Sequence, residues 1–178
     1  SPPGRPPWRR QLAPPSPPPC VVKLELVMVL DKSGSVRAEQ SSLLAFARDM
    51  VAQFEVNSAI GAQIGIVEFS NDALTLTPLT GNVQAVWSAI DRASAAGGGT
   101  SVSDGLALGM SVINGAAARP GVPRTILLLT DGVQTVDGTD ATAIAQAATV
   151  KADGISIVAV GFGGAKESTM RSIASAPS

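Results

Sequence analysis

Residues 24–35 read LELVMVLDKSGS, an apolar run that stops abruptly at an acidic residue. Such a run is typical of a strand buried inside a parallel sheet, although periodicity alone also fits a buried helical segment. Ser33 and Ser35 follow Asp31 at two-residue steps, with Gly34 between the serines. Ligands of open α/β sheets bind at the carboxyl ends of strands, so these three oxygen side chains can converge there. Oxygen ligands suit a hard cation such as Mg2+. The alternative is a polar turn in which Ser35 caps the next helix.

The composition indicates one globular domain and excludes several classes of protein. A chain of 178 residues with 45% hydrophobic content is long enough to bury a substantial core. No apolar run approaches the length of a membrane span. The chain has no His and no Tyr, which removes the usual general base and any His-based zinc site. A net charge of −1 does not favour nucleic-acid binding.

Residues 1–19 differ in composition from the rest of the chain, because they hold nine of its thirteen prolines. We expect an extended, polyproline-II-like linker or stalk there, followed by the domain at 20–178. The SPPP run at 16–19 resembles the hydroxyproline-rich spacers of plant and green-algal extracellular matrix glycoproteins. A plain semi-rigid linker explains the same residues. Because the chain starts at Ser1 rather than Met, we expect a mature product or an excised fragment.

The remaining residues alternate predicted strands with predicted helices. After the first strand, helices are expected at 36–54, 82–95, 102–118, 139–153 and 167–176, and strands at 62–69, 73–77, 123–130 and 155–161. Too few residues separate strands 62–69 and 73–77 for a crossover helix, so these two should form an antiparallel hairpin, closed by Pro78. The pattern predicts an α/β fold with an open, mostly parallel sheet and right-handed crossovers.

Two later segments bring further oxygen side chains to the same edge of the sheet. Asp131 follows the strand at 123–130, and a GGGT run ends at Thr100. If the first and fourth strands are neighbours, the gap between their carboxyl ends is the switch point of the sheet. The predicted metal ligands that would meet there are Asp31, Ser33, Ser35, Thr100 and Asp131.

Each member of this set also has an ordinary structural interpretation. Ser35 and Thr100 precede helices and are possible caps, the glycines before Thr100 are a possible flexible connection, and Asp131 is a possible turn residue. Ser101 and Asp104 predict a capping-box-like pair at the start of a helix, with Asp104 acting on the helix dipole rather than as a ligand. Lys32 is expected to face solvent.

The three motifs together resemble the metal-ion-dependent adhesion site of von Willebrand factor type A domains. The D-x-S-x-S, T and D elements of that site match residues 31–35, Thr100 and Asp131, in the family's order and strand context. The resemblance covers about residues 21–176 and implies a Rossmann-like sheet ordered 3-2-1-4-5-6, with the third strand antiparallel. It also implies Mg2+ as the bound ion, with Mn2+ or Ca2+ as alternatives. In the family, the serines and the threonine ligate the ion directly, the aspartates often act through water, and an acidic group of a partner completes the coordination.

Two features depart from the family pattern. The family usually adds a sixth strand and a closing helix, so we expect a domain truncated at its carboxyl end, at Ser178. Cys20 stands where many extracellular members have a cysteine tied to one after the final helix, yet the chain has a single Cys. Cys20 is therefore expected to pair outside this fragment, if it pairs at all.

The resemblance implies a non-enzymatic adhesion module, extracellular and displayed on the proline-rich stalk, that captures an acidic protein or an acidic glycan. One alternative is an intracellular scaffold subunit of a multiprotein complex that uses the same domain. Another is a haloacid-dehalogenase-like phosphoryl-transfer enzyme, but that family requires a second Asp where Ser33 stands. A P-loop enzyme is excluded because residues 97–100 lack the GK[ST] signature.

Overall fold

The computed structural model of the chain describes residues 18–94 and 96–176, so residues 1–17 of the predicted stalk lie outside the described residues. The strands are β1 (Leu24–Asp31), β2 (Ala62–Phe69), β3 (Ala73–Thr80), β4 (Arg124–Thr130) and β5 (Ser156–Gly161). The helices are α1 (Gln40–Ala52), α2 (Val83–Asp91), α3 (Val102–Ile113), α4 (Asp140–Ala152) and α5 (Glu167–Ile173), with a 3-10 turn at Ser35–Arg37. Among the described residues, no helix combines the length and hydropathy needed to cross a bilayer.

The five strands form one sheet in the order β3-β2-β1-β4-β5. β1 runs parallel to β2 and β4, β4 runs parallel to β5, and β2 and β3 form the predicted antiparallel hairpin. This confirms the mostly parallel sheet expected from the alternation of strands and helices. Because β1 and β4 are neighbours, their carboxyl ends form the switch point of the sheet.

Helices cover both faces of the sheet, which explains why its central strands read as apolar runs. Helices α3, α4 and α5 pack on one face, and α1 and α2 pack on the other. Helix α3 lies very close to the sheet because it carries Gly105 and Gly109. A Cβ on Gly105 would lie 2.8 Å from Phe69, and one on Gly109 would lie 2.9 Å from Val29.

Two predicted boundaries in the first half of the chain are wrong. Pro78 does not close β3, which continues to Thr80. Since β3 is an edge strand, the missing N–H of a proline is tolerated there. The single helix expected at 36–54 is divided into the 3-10 turn and α1, which begins only at Gln40.

The other predicted helices end earlier than the composition suggested. Helix α2 ends at Asp91 rather than 95, and α3 ends at Ile113, just before Asn114 and Gly115, rather than at 118. A turn follows each helix, at Arg92 and at Asn114, and propensity alone does not separate such turns from a continued helix.

The segment before β1 is attached to the domain at the amino end of the sheet. Cys20 is exposed and forms a parallel bridge with Phe54. Its N–H donates to the Gln53 carbonyl at 2.7 Å, and its carbonyl accepts from Glu55 N–H at 3.0 Å. The chain therefore enters the domain at the end opposite the switch point.

Candidate metal centre

Four of the five predicted ligands form one hydrogen-bonded chain across the switch point. Asp31 Oδ1 accepts the Ser33 N–H at 2.7 Å, and the hydroxyl oxygens of Ser33 and Ser35 are 3.1 Å apart. The Ser35 hydroxyl donates to Asp131 Oδ1 at 2.8 Å. Ser35 makes no capping bond to α1, whose N-cap residue is Glu39. Its side chain is committed to the gap between β1 and β4 instead.

Thr100 places its hydroxyl beside the same gap. A Cβ placed on Gly132 would lie 3.4 Å from Thr100 Oγ1 and 3.8 Å from Ser35 Oγ, so these hydroxyls border one small space next to Asp131. Thr100 is only 4% exposed. Within residues 18–94 and 96–176, its backbone is hydrogen-bonded but its hydroxyl has no partner. Because this oxygen is not among the fully buried unpartnered atoms of the described residues, it faces the open gap and is free to bind a ligand there.

The loop that carries Thr100 is held rigidly. The Thr100 N–H donates to Thr135 Oγ1 at 2.9 Å, and its carbonyl accepts the Thr135 N–H at 2.9 Å. Gly98 has a φ of +84°, which favours glycine, and a Cβ on Gly99 would clash with Val136. These contacts argue against the interpretation of the glycine run as a flexible connection.

The start of α3 differs from the prediction. Ser101 is the N-cap residue, but its side chain makes no capping bond, so the predicted pairing with Asp104 is wrong. Gln134, from the segment after β4, takes this role: its Oε1 accepts the Ser103 N–H at 3.1 Å, and its Nε2 donates to Ser103 Oγ at 2.8 Å. Asp104 lies in the first turn of α3, as expected for a carboxylate at the positive end of a helix dipole.

The electrostatics of the gap favour a bound cation. Burial raises the pKa of Asp31 above its ordinary 3.8, hydrogen bonds from Ser33 and Thr130 partly oppose that increase, and the charge of Asp131 adds to it. The Thr130 hydroxyl donates to Asp31 Oδ2 at 2.6 Å. In the part of the chain that the structure describes, no Lys or Arg forms an ion pair with either aspartate. A divalent ion would supply the missing positive charge.

The donor set is poor in carboxylates and rich in hydroxyls. No group of three or more His, Cys, Asp or Glu side chains suited to a metal occurs among the described residues. The candidate set has two carboxylates, from Asp31 and Asp131, and three neutral hydroxyls. Such an all-oxygen set fits a hard divalent cation and does not fit the nitrogen and sulfur chemistry of a structural zinc site.

Lys32 is only partly exposed, whereas the sequence predicted a side chain that faces solvent. Its Nζ lies 3.2 Å from Oε1 of Glu68, whose side chain is only 1% exposed. The prediction failed because nothing local shows where a buried carboxylate elsewhere in the chain needs a cation. Glu68 itself was missed by the sequence analysis. The available signal was an acidic residue inside a strand that is otherwise apolar apart from Gln63.

The fold and this cluster define an α/β domain with a candidate metal site, and the comparison with protein families identifies the family. The chain belongs to the family described as von Willebrand factor type A domain, which matches residues 25–178. This confirms the resemblance for the domain. The proline-rich segment lies outside the match.

Among curated proteins, matrilin-1 of Gallus gallus is 34% identical over 161 residues, which cover 86% of this chain and 31% of matrilin-1. The von Willebrand factor A domain-containing protein 2 of Homo sapiens is 33% identical over 158 residues, which cover 85% of this chain and 20% of that protein. The chain thus spans about a third or less of the length of these relatives.

Solved structures agree with this assignment. Proximal thread matrix protein 1 from the mussel byssus, solved with a zinc-occupied metal-ion-dependent adhesion motif, is 25% identical with a TM-score of 0.76. The alignment covers 88% of this chain and 40% of the mussel chain. Manganese-loaded TRAP protein of Plasmodium vivax has a TM-score of 0.73 at 17% identity, covering 85% of this chain and 62% of that one, and shows the shared fold alone.

Proposed function

We propose that this domain is a non-enzymatic, metal-dependent binding module whose bound ion captures an acidic group of a partner. The proposed ligands of the ion are Asp31, Ser33, Ser35, Thr100 and Asp131. The observation that carries the proposal is the Thr100 hydroxyl, which lacks a partner among the described residues, is open to the gap and borders the same space as the Ser35 hydroxyl.

The chemistry of the five side chains favours Mg2+, with Mn2+ or Ca2+ as alternatives. Two carboxylates balance the charge of a divalent ion, and the hydroxyls add no charge. Mg2+ keeps water on part of its coordination shell, and that water is exchangeable for a carboxylate of a partner. When bound, the ion would supply the positive charge that attracts such a group, while the Thr135 bonds to Thr100 hold the rim of the site in place.

Binding rather than catalysis is the better proposal for this site. The chain has no His, so a Ser–His or Cys–His pair is absent from the whole sequence. The hydroxyls of the cluster's serines bond each other and Asp131, a carboxylate that the proposed ion would occupy. The matrilin and byssus matrix relatives support an extracellular matrix or cell-surface location. Residues 1–19 would form the stalk that displays the domain there.

The test uses the full 178-residue chain and Mn2+ alone. Water-proton relaxation should detect one bound Mn2+ per chain in the parent and none in Asp31→Ala at the same concentration. Undiminished Mn2+ binding in Asp31→Ala would end the assignment of the site.

The capture of acidic groups is tested separately on surfaces coated with poly-L-glutamate or heparin, with neutral dextran as the control. We expect retention on at least one acidic surface in Mg2+, and its loss both in EDTA and in Thr100→Ala. Retention that survives both treatments would show that another face of the domain binds, and absence of retention on both acidic surfaces would overturn the proposed capture.

A further inference from the structure

We propose that Glu68 is a positioning residue for the metal centre: it joins the segment that follows β1 to the loop that carries Thr100. The inference rests on the proposed function, because it concerns the geometry of that centre. It assigns a role to a buried acid that the proposed ligand set does not use.

Glu68 is buried, and both of its carboxylate oxygens accept hydrogen bonds. Its Oε2 accepts the Ser94 N–H at 2.8 Å, and its Oε1 accepts the Ser94 hydroxyl at 2.7 Å and lies 3.2 Å from Lys32 Nζ. A buried carboxylate is strongly destabilising unless it is both paired and hydrogen-bonded. The domain therefore keeps Lys32 and Ser94 where Glu68 needs them.

Both partners of Glu68 belong to segments that carry proposed ligands. Lys32 lies between Asp31 and Ser33, and Ser94 lies in the connection that leads from α2 to Thr100. Direct backbone bonds join the same two segments, from Gly97 N–H to the Lys32 carbonyl at 2.7 Å and from Gly34 N–H to the Gly98 carbonyl at 2.9 Å. Glu68 thus stabilises the junction on which the spacing of the serines and Thr100 depends.

Glu68 acts through these neighbours and not as a ligand. Three donors already occupy its two oxygens, so it has little capacity left for a cation. Groups that orient metal ligands in this indirect way commonly change metal affinity on the order of 10–100-fold when they are replaced.

The chain offers a matched control in Glu25, near the amino end of β1. Glu25 is also buried, and its Oε1 accepts from the Nε of Arg119 at 2.7 Å and from the Arg119 N–H at 3.0 Å. It lies at the end of the sheet opposite the proposed centre. Removal of its charge should therefore reproduce the loss of a buried ion pair without touching the ligand segments.

The experiment measures the thermal midpoint in EDTA and the Mn2+ affinity of Glu68→Gln and Glu25→Gln in the full chain. Both variants should melt below the parent. Glu68→Gln should bind Mn2+ on the order of 10–100-fold more weakly, whereas Glu25→Gln should bind like the parent. Parent-like affinity in Glu68→Gln, or equal weakening in both variants, would overturn the inference.

A second variant separates position from charge, because Glu68→Gln leaves Lys32 without its anion. In Glu68→Gln/Lys32→Met the extra positive charge is gone but the junction is still broken, so the affinity should stay low. Recovery of parent affinity would overturn the positioning role in favour of simple charge repulsion.

Hydrogen exchange without metal distinguishes a failure of this inference from a failure of the proposed function. The amides of Gly97 and Thr100 should exchange faster in Glu68→Gln than in Glu25→Gln, and equal rates would overturn the positioning role. If these amides exchange slowly in the parent but Asp31→Ala binds Mn2+ as tightly as the parent, the metal assignment alone is refuted.

Discussion

Replacement of Thr100 by Val should stabilise the domain without metal and destabilise it, relative to the parent, with metal. Valine keeps the branched shape of threonine and removes only the hydroxyl. Thr100 is 4% exposed, and its hydroxyl has no hydrogen-bond partner within the described residues. A fully buried unpaired hydroxyl costs about 1–3 kcal/mol, and at most the lower end applies to Thr100 because its oxygen is open to the gap.

This magnitude converts into a measurable shift. In EDTA the variant should gain about 1 kcal/mol, or about 2–4 °C in thermal midpoint for a domain of this size. In Mg2+ at about 100 times its dissociation constant, the parent should gain about 2.7 kcal/mol, most of which Thr100→Val should lose. The order of the two midpoints should therefore reverse between EDTA and Mg2+.

Thr130→Val is the matched control, since it is the same substitution at the end of β4, beside the proposed centre. The Thr130 hydroxyl donates to Asp31 at 2.6 Å and accepts the Gly132 N–H at 3.2 Å. Its removal should destabilise the protein by about 1–3 kcal/mol in EDTA. Differential scanning calorimetry with and without Mg2+ measures all three proteins. The reasoning is refuted if Thr100→Val also loses stability in EDTA, or if Mg2+ raises its midpoint as much as that of the parent.

Two further predictions concern pH and packing. Because the pKa of Asp31 is raised in the folded state, the folded protein holds a proton that the unfolded chain has lost. The free energy of unfolding without metal should fall as pH rises from 3.8 through that raised pKa, and Mn2+ affinity should fall as pH drops through it. Chemical denaturation across this pH range should show that the free energy of unfolding depends less on pH in Asp31→Asn than in the parent. The same pH dependence in both proteins would contradict the raised pKa of Asp31. Gly105→Ala should destabilise the domain by up to about 2 kcal/mol, because overpacking against Phe69 costs about 1–3 kcal/mol and alanine returns about 1 in helix propensity. Urea denaturation measures both this variant and the control Gly97→Ala, whose Cβ would meet no described atom within 4 Å. Equal stabilities of the two variants would contradict the packing argument.

Much of the fold was predictable because its signals are local. The apolar runs that end at Asp31 and at Thr130 each predict a buried strand and the residue at which that strand stops. The short connection between β2 and β3 excludes a crossover, which determines the hairpin. Pro78 was misjudged because a single sequence does not show that β3 is an edge strand.

The candidate ligands were also predictable, since each lies at the end of a recognisable element. Their supports were not, because those supports are long-range. Gln134 caps α3 from another segment, and Glu68 binds Lys32 and Ser94 from a third. Such pairings depend on the sheet order, which no local pattern contains. These supporting residues are therefore where the structure adds most to the sequence.

The attachment of Cys20 at the amino end of the sheet has a mechanical consequence. A partner captured by the proposed ion would pull in part on Ser33 and Ser35, just after β1, while the preceding chain would pull at Cys20, just before β1. Tension between the two would run along the covalent backbone of β1 (Leu24–Asp31), which is hydrogen-bonded to a neighbour on each side. The domain would thus transmit tension through one buried strand while the rest of the fold serves to keep that strand, and the site at its end, in shape.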